Sequence, residues 1–585
     1  IKYLIMINYQ KRKNSSLFQT LEKPNTLFLS KMQNYIPIYN RFFGLNETNF
    51  NNINFNNKWF LLNVSEKEQS CGSFFIGTIK NIQSDKTKKK DIFFKEAPLL
   101  DPFKYLIGKY DITNKNLFNL PQLFSLENEV YPKLLDMNNS AYVDGFFLYL
   151  ANQLAEKYYF IHNVEYYGSF LAIKNDYQLN VYDDIEYLTT SDFFNKHKNS
   201  LFSIEDYAHL FPETNNKKPL INIQHNASID SIHSINSLKD ELFENIFENS
   251  TSEPVEKTDL MEITNIYLNN PDEKSTTLKS ESSCSSRTSY TSGSNDLEED
   301  NLTNKSNDDS SCCSDKSEWE DESNEEESLD EDEKLMVKIP QFPIQLICME
   351  NCEMTLDDLM VKNEINEGEW FSMFMQVIMI LITYQKSFSF THNDLHTNNI
   401  MFNSTNKKYI YYCYENIYYQ IPTFGRIYKI IDFGRSIFKF DGKIFCSDSF
   451  QQGGDASTQY NTEPFYNDKK PRLEPNFSFD LCRLACSIFD YLIEDMDEVA
   501  TCTDPVTKLI IEWCLDDKGI NLLYKNNGQE RYPEFKLYKM IARCVHKHTP
   551  QNQLERNEFK SFRILKNLIP SGEKIINIDD IPIFV

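Results

Sequence analysis

Two kinds of hydrophobic pattern organise this chain, and a long stretch with neither separates them. Residues 73–79 (SFFIGTI) and 91–96 (DIFFKE) are short β-branched and aromatic runs that predict strands. The polar run 83–90 (QSDKTKKK) between them predicts a hairpin loop. Residues 117–160 read mostly as helix, most clearly over 142–159, and 163–173 (NVEYYGSFLAI) predicts a further strand pair. Residues 342–350 (FPIQLICME) form a nearly continuous apolar strand that runs into a helix start at Thr355. The most hydrophobic segment is 370–384 (WFSMFMQVIMILITY). It contains Ser372 and Gln376 and falls short of the roughly 20 residues a membrane span needs, so it predicts a buried helix. A polar loop over 442–476 precedes another helix, 479–493.

Apolar content falls from about residue 186 to 334. Residues 275–295 are Ser/Thr-rich, and acidic runs such as 325–333 (EEESLDEDE) follow. Such a segment cannot bury enough apolar surface to offset its ordering entropy, which predicts a disordered acidic insertion over 215–335, with a short helix at 235–247. The expected organisation is an Asn- and aromatic-rich extension (1–60), a strand-rich part (61–214, completed by 342–352), the insertion, a helix-rich part (336–575) and a short tail (576–585).

The net charge of −26 over 585 residues argues against a general nucleic-acid binder, which would show a basic patch. Thirteen scattered cysteines without a C-x-x-C pair suggest reduced thiols, hence an intracellular, unsecreted protein. Cys544, His546 and His548 fit no common zinc spacing. Residues 1–7 are apolar but too short for a span and lack the order of a secretion signal, so no membrane partner is expected.

The chemistry concentrates in residues 392–399 (HNDLHTNN), which follow the apolar 370–384, and in 429–435 (KIIDFGR). A carboxylate and an amide spaced D-x-x-x-x-N, then an apolar strand ending in D-F-G, are what phosphoryl transfer needs. One carboxylate takes the acceptor's proton; the amide and the second carboxylate hold the metal on the nucleotide phosphates.

In this order the parts resemble the eukaryotic-type protein kinase superfamily, most closely the atypical serine/threonine-protein kinases of giant DNA viruses. The resemblance covers most of 61–575 apart from the insertion. It implies an α+β, bilobal fold with a strand-rich N-lobe and a helical C-lobe, and ATP and Mg²⁺ as cofactors. It implies Asp394 as catalytic base, Asn399 and Asp432 as metal ligands, and Lys95 on the α- and β-phosphates. Phe433 would pack on the helical part and Gly434 would permit the backbone turn. Gly72, Ser73 and Phe74 align with the middle of the phosphate-covering loop, whose flanking glycines are missing or, like Gly77, displaced. Met349, Glu350 and Cys352 resemble the connection between lobes that binds the adenine edge. The helix carboxylate that should pair with Lys95 is sought among Glu127, Glu129 and Glu156, with Glu129 preferred. Asp480 resembles the Asp that braces the catalytic loop.

Two departures bear on control. Asn393 stands where an Arg often receives an activation-loop phosphate, which suggests activity without that switch. His396 replaces a Lys that binds the transferring phosphate, offering a weaker, pH-dependent charge. An added hairpin is expected over 408–421. The leading expectation is a serine/threonine-protein kinase acting on a protein substrate in a host cytoplasm or virion. A pseudokinase scaffold, whose acidic segment recruits a basic partner, and a small-molecule kinase are the alternatives. The acidic tract around Ser317 could itself be phosphorylated, although a solvated linker is the plainer reading.

Overall fold

The computed structural model describes residues 7–65, 74–207, 334–362, 365–533 and 535–585. The expected insertion and its helix at 235–247, together with Gly72 and Ser73, lie outside the described residues. The chain divides into a unit of Ile1–Glu205 with Leu278–Val585 and a second unit, Asp206–Thr277, of which only Asp206 and Tyr207 are described. The fold of the first unit is mixed α+β.

Seven antiparallel strands make the largest sheet. In chain order its main strands are β1 (Leu29–Gln33), β2 (Trp59–Val64), β3 (Phe75–Asn81), β4 (Thr87–Pro98), β5 (Tyr166–Asn180) and β6 (Met336–Glu350). Their spatial order is β1-β5-β6-β4-β3-β2, and the short strand Ser203–Ile204 also pairs with β6. Alternate residues of β3 are buried, as its period-two pattern requires. Gly77 lies inside β3, where an added Cβ would meet Ile92 Cγ1 at 2.3 Å; its role is close strand packing. The strand pair expected over 163–173 is one long strand, β5, because β6 is long enough to pair with it from Tyr166 to Asn180, with one register shift between Tyr166 and Gly168. The register sets Lys95 opposite Ile347 and Phe93 opposite Met349.

Helix α1 (Ser140–Tyr158) packs on this sheet and is buried around most of its circumference. Asn139 caps it by accepting from the Ala141 N–H at 3.1 Å, and Tyr159 ends it in the left-handed region. At Gly145 an added Cβ would meet the Gln345 amide, so the glycine leaves room for that side chain between α1 and the sheet. The helix expected over 117–160 is otherwise absent: residues 111–131 are turns and loop, and a single turn, Pro132–Leu135, precedes α1. Asn, Asp and Pro in that stretch favour local bonds and turns over a helix; the Asn114 and Asp111 side chains each accept a bond from a nearby backbone N–H.

The apolar segment at 370–384 is helix α2 (Glu367–Phe388), opened by a capping box between Asn366 and Glu369 and buried along its length. Among the described residues no helix is long and apolar enough to cross a membrane. Two strands, β7 (Ile400–Ser404) and β10 (Arg426–Ile430), pair antiparallel and enclose the hairpin β8 (Tyr409–Tyr414) and β9 (Ile417–Pro422). The hairpin turn has positive φ at both Glu415 and Asn416, the two-residue turn whose twist suits a β-hairpin. Asp579 accepts from both turn amides at 2.8 and 2.9 Å, and Ile575–Asn577 pairs with β8, so the hairpin anchors the C-terminal segment. Helices α3 (Phe479–Leu492) and α4 (Phe535–Cys544) complete the surroundings of the site.

Candidate active site

Lys95 stands on β4 with its side chain 14% exposed. Its ammonium bonds Asp144 Oδ2 at 2.7 Å and Asp432 Oδ1 at 2.8 Å. The helix partner is therefore Asp144 and not Glu129. Glu129 lies in a surface turn and accepts from the Leu126 N–H, while Glu156, at the far end of α1, accepts from the Lys58 N–H. Glu127 is exposed. A carboxylate one methylene shorter than glutamate thus reaches Lys95 directly. Burial disfavours the charged lysine, but Asp144 and Asp432 outweigh it and hold its pKa above the ordinary value. Burial raises the Asp144 carboxyl, Lys95 pulls it back and Asp432 adds to the rise.

Asp144 also orders the D-F-G turn, accepting from the Phe433 N–H through Oδ1 at 2.9 Å. The Phe433 ring packs beside Phe147 of α1 and Tyr384 of α2, with centroids 4.7 and 6.3 Å away. The backbone reversal falls on Asp432 (φ 61°, ψ 73°), while Gly434 sits in the following 3₁₀ turn without a positive φ. The turn thus draws on the tolerance of aspartate for the left-handed region.

Asp480, on α3, is fully buried and accepts from the backbone N–H groups of His392 and Asn393, both at 2.9 Å. It braces the loop that carries Asp394. Asn393 has φ 64°; its amide donates to Arg435 O at 3.0 Å and accepts from the Tyr460 hydroxyl at 2.8 Å. The position before the expected base therefore ties the loop to the segment after D-F-G.

Asp394 is only 3% exposed. Its Oδ1 accepts from the Tyr538 hydroxyl of α4 at 2.7 Å, and its Oδ2 lies 3.8 Å from the Arg435 guanidinium. Arg483 of α3 lies over the Tyr538 ring, 5.0 Å from its centroid. Burial pushes the Asp394 carboxyl up, but Arg435, His396, Arg483 and the Tyr538 hydrogen bond together hold it down at about 2. Tyr538, Arg435, Arg483 and Asp144 were not expected as site residues. Arg435 follows D-F-G directly and Asp144 lies within the helical 142–159 pattern. Nothing in the sequence marks Tyr538, which comes from a helix 144 positions away.

His396 does not supply the expected pH-dependent charge near neutrality. Burial lowers its pKa to about 4 despite the nearby Asp394, and its Nε2 lies 3.1 Å from the Asn399 amide nitrogen. That amide nitrogen also donates to Asp394 O at 2.9 Å, so the Asn399 side-chain Oδ1 is the end left for a ligand. The Ile431 N–H bonds Asn399 O at 3.0 Å, which sets Asp432 one residue beyond Asn399 across the strand pair. A carboxylate and an amide oxygen are hard donors that suit Mg²⁺ when phosphates and water complete the shell. Among the described residues no cluster of three or more His, Cys, Asp or Glu side chains could hold a metal. Lys95, Ala97, Pro98, Ser140, Asp144, Asp432, Gly434 and Ser449 line a small cleft beside this pair.

The other expected residues lie on neighbouring strands. Phe74 precedes β3 and Met349 is buried in β6. The Glu350 side chain is committed to Lys429, the Glu165 N–H and Asn403, and its own N–H bonds Glu165 O. The Asn351 N–H bonds Asp91 O, whereas the Cys352 N–H has no partner among the described residues. Burial pushes the Cys352 thiol up to about 12. No family model and no curated protein matches this chain.

Proposed function

We propose that this chain is an ATP- and Mg²⁺-dependent phosphotransferase of the protein kinase type, with a bilobal kinase-like arrangement, acting on serine or threonine hydroxyls of proteins. The observation that carries the reading is one buried ammonium, Lys95, bridging a helix carboxylate and the D-F-G carboxylate. Lys95 would bind the nucleotide's α- and β-phosphates while Asp144 holds it in place. Asn399 and Asp432 would hold Mg²⁺, which when bound would neutralise charge on the phosphates. The Cys352 N–H, without a partner among the described residues, would donate to an adenine edge. Asp394 would orient the acceptor hydroxyl and take its proton during in-line transfer. That hydroxyl would compete with Tyr538 for Oδ1 of Asp394. His396, neutral at physiological pH, would fix the Asn399 amide and would not bind phosphate as a cation.

The test is transfer from radiolabelled ATP to mixed protein substrates by the full chain, with Asp394→Asn as control. Activity is expected to fall by about 10²-fold or more in the control. Equal labelling by both proteins sinks the reading.

A second reading, a pseudokinase scaffold, draws on the closure of Asp394 by Tyr538, Arg435 and Arg483. It expects ATP·Mg²⁺ to raise Tm, or not, without any transfer. Transfer abolished by Asp394→Asn removes it.

A further inference from the structure

After the D-F-G turn the chain forms a hairpin, Ile437–Phe440 with Lys443–Cys446, and then meets the start of α1 through one residue. Asp448 is 1% exposed. Its Oδ1 accepts from the Ser140 N–H at 3.0 Å, and its own N–H donates to Asn138 O at 2.7 Å. Its Oδ2 is ion-paired with Lys133. Ser140 is the first residue of α1, and Asp144, the partner of Lys95, follows one turn later. Arg41 strengthens the same junction, donating to Ile444 O at 3.0 Å and to Asn138 Oδ1 at 2.7 Å.

A carboxylate here satisfies an N–H that has no partner within the helix and lies at the positive end of the helix dipole. It also removes the need for a phosphate. Asn393 is already occupied by Tyr460 and Arg435 O and offers no guanidinium. The hydroxyl residues that flank Asp448, Ser447 and Ser449, are buried.

We propose that Asp448 is the positioning residue of the Lys95–Asp144 pair. It is a fixed carboxylate that holds the first turn of α1 against the segment after D-F-G, so the site assembles without phosphorylation of that segment. This rests on the phosphotransferase reading. Asp448 touches no reacting atom and acts through Ser140, α1 and Asp144.

The experiment uses the full chain, with Asp448→Ala and Asp448→Asn. Asp448→Ala should lower kcat by about tenfold with an unchanged KM for the acceptor, and Asp448→Asn, which keeps the Ser140 acceptor, should recover most of it. Phosphatase treatment of the wild-type protein should leave transfer within about twofold. Amide exchange over residues 138–145 should rise in Asp448→Ala while α2 stays protected. A wild-type kcat in Asp448→Ala, or loss of transfer on phosphatase treatment, overturns the proposal. If the wild-type chain neither transfers phosphate nor is stabilised by ATP·Mg²⁺, the phosphotransferase reading is what has failed. Exchange over 138–145 then decides alone, and unchanged protection in Asp448→Ala rejects Asp448 as the holder of α1.

Discussion

Lys95 and Asp394 are both nearly closed to solvent, yet the charge around them is balanced in opposite ways. Around Lys95 one ammonium faces two carboxylates, Asp144 and Asp432. Around Asp394 one carboxylate faces Arg435, with Arg483 over the ring of Tyr538, whose hydroxyl donates to it. The first cluster carries surplus negative charge, which a divalent cation would complete. The second carries surplus positive charge, which suits an anionic group and holds Asp394 ionised. The first is assembled on the sheet and α1; the second is closed by a helix, α4, from near the end of the chain. In the phosphotransferase reading, the first half would take the nucleotide, while Oδ1 of Asp394 in the second is held by the chain's own phenol.

The largest expected effect tests the first cluster. Lys95→Met leaves the buried Asp144 carboxylate and the half-buried Asp432 without a counter-charge and should cost about 3–5 kcal/mol in urea unfolding, with loss of any ATP·Mg²⁺ shift in Tm. Retained wild-type stability would show that the charges there are not coupled as the distances imply.

Asp480→Ala probes the second cluster through its support. Two backbone N–H groups lose their acceptor inside the core, an expected cost of about 3 kcal/mol and a faster amide exchange at His392 and Asn393. Exchange there as slow as in the wild type would rule out the brace.

The second cluster should also respond to pH. The folded-state pKa of His396 is depressed to about 4 from 6.5, so the unfolded chain binds the extra proton between those values. Its contribution is present above pH 6.5 and is lost as pH falls towards 4, by up to about 3 kcal/mol. His396→Gln should flatten this part of the stability–pH curve; an unchanged slope would assign it to other groups.

The smallest expected change in stability is that of Tyr538→Phe, about 1 kcal/mol, because the ring stays packed and only the hydroxyl leaves. Transfer should nonetheless rise several-fold through a lower acceptor KM. A rate unchanged or reduced would mean that the phenol does not guard Asp394.

Much of this arrangement is legible in local pattern. The β-branched and aromatic runs 73–79 and 91–96 and the apolar 342–350 become β3, the second half of β4 and β6, whereas the hairpin loop expected over 83–90 is shorter, because Thr87–Lys90 pair with Gly77–Lys80 as the start of β4. The most apolar run becomes the buried helix α2, and the expected hairpin over 408–421 forms. Asp394, Asn399 and Asp432 lie in short motifs whose spacing survives any packing. Asp144 is not legible in the sequence, where Glu127, Glu129 and Glu156 offer longer carboxylates, because which one reaches Lys95 depends on how α1 docks. Gly434 was given the turn that Asp432 makes, since composition favours glycine for positive φ while the bond from Phe433 to Asp144 fixes Asp432 there.

By itself the sequence determined where strands and helices lie and which motif residues are available for chemistry, because periodicity and spacing are local properties of the chain. Only the tertiary structure decided that Asp144 would neutralise Lys95, that Asp448 would accept from the first N–H of α1, that His396 would be neutral and that Tyr538 would rest on Asp394. Each of these depends on burial or on contact between residues far apart in the chain, and a charge or hydroxyl gains its meaning only from the groups that surround it after folding.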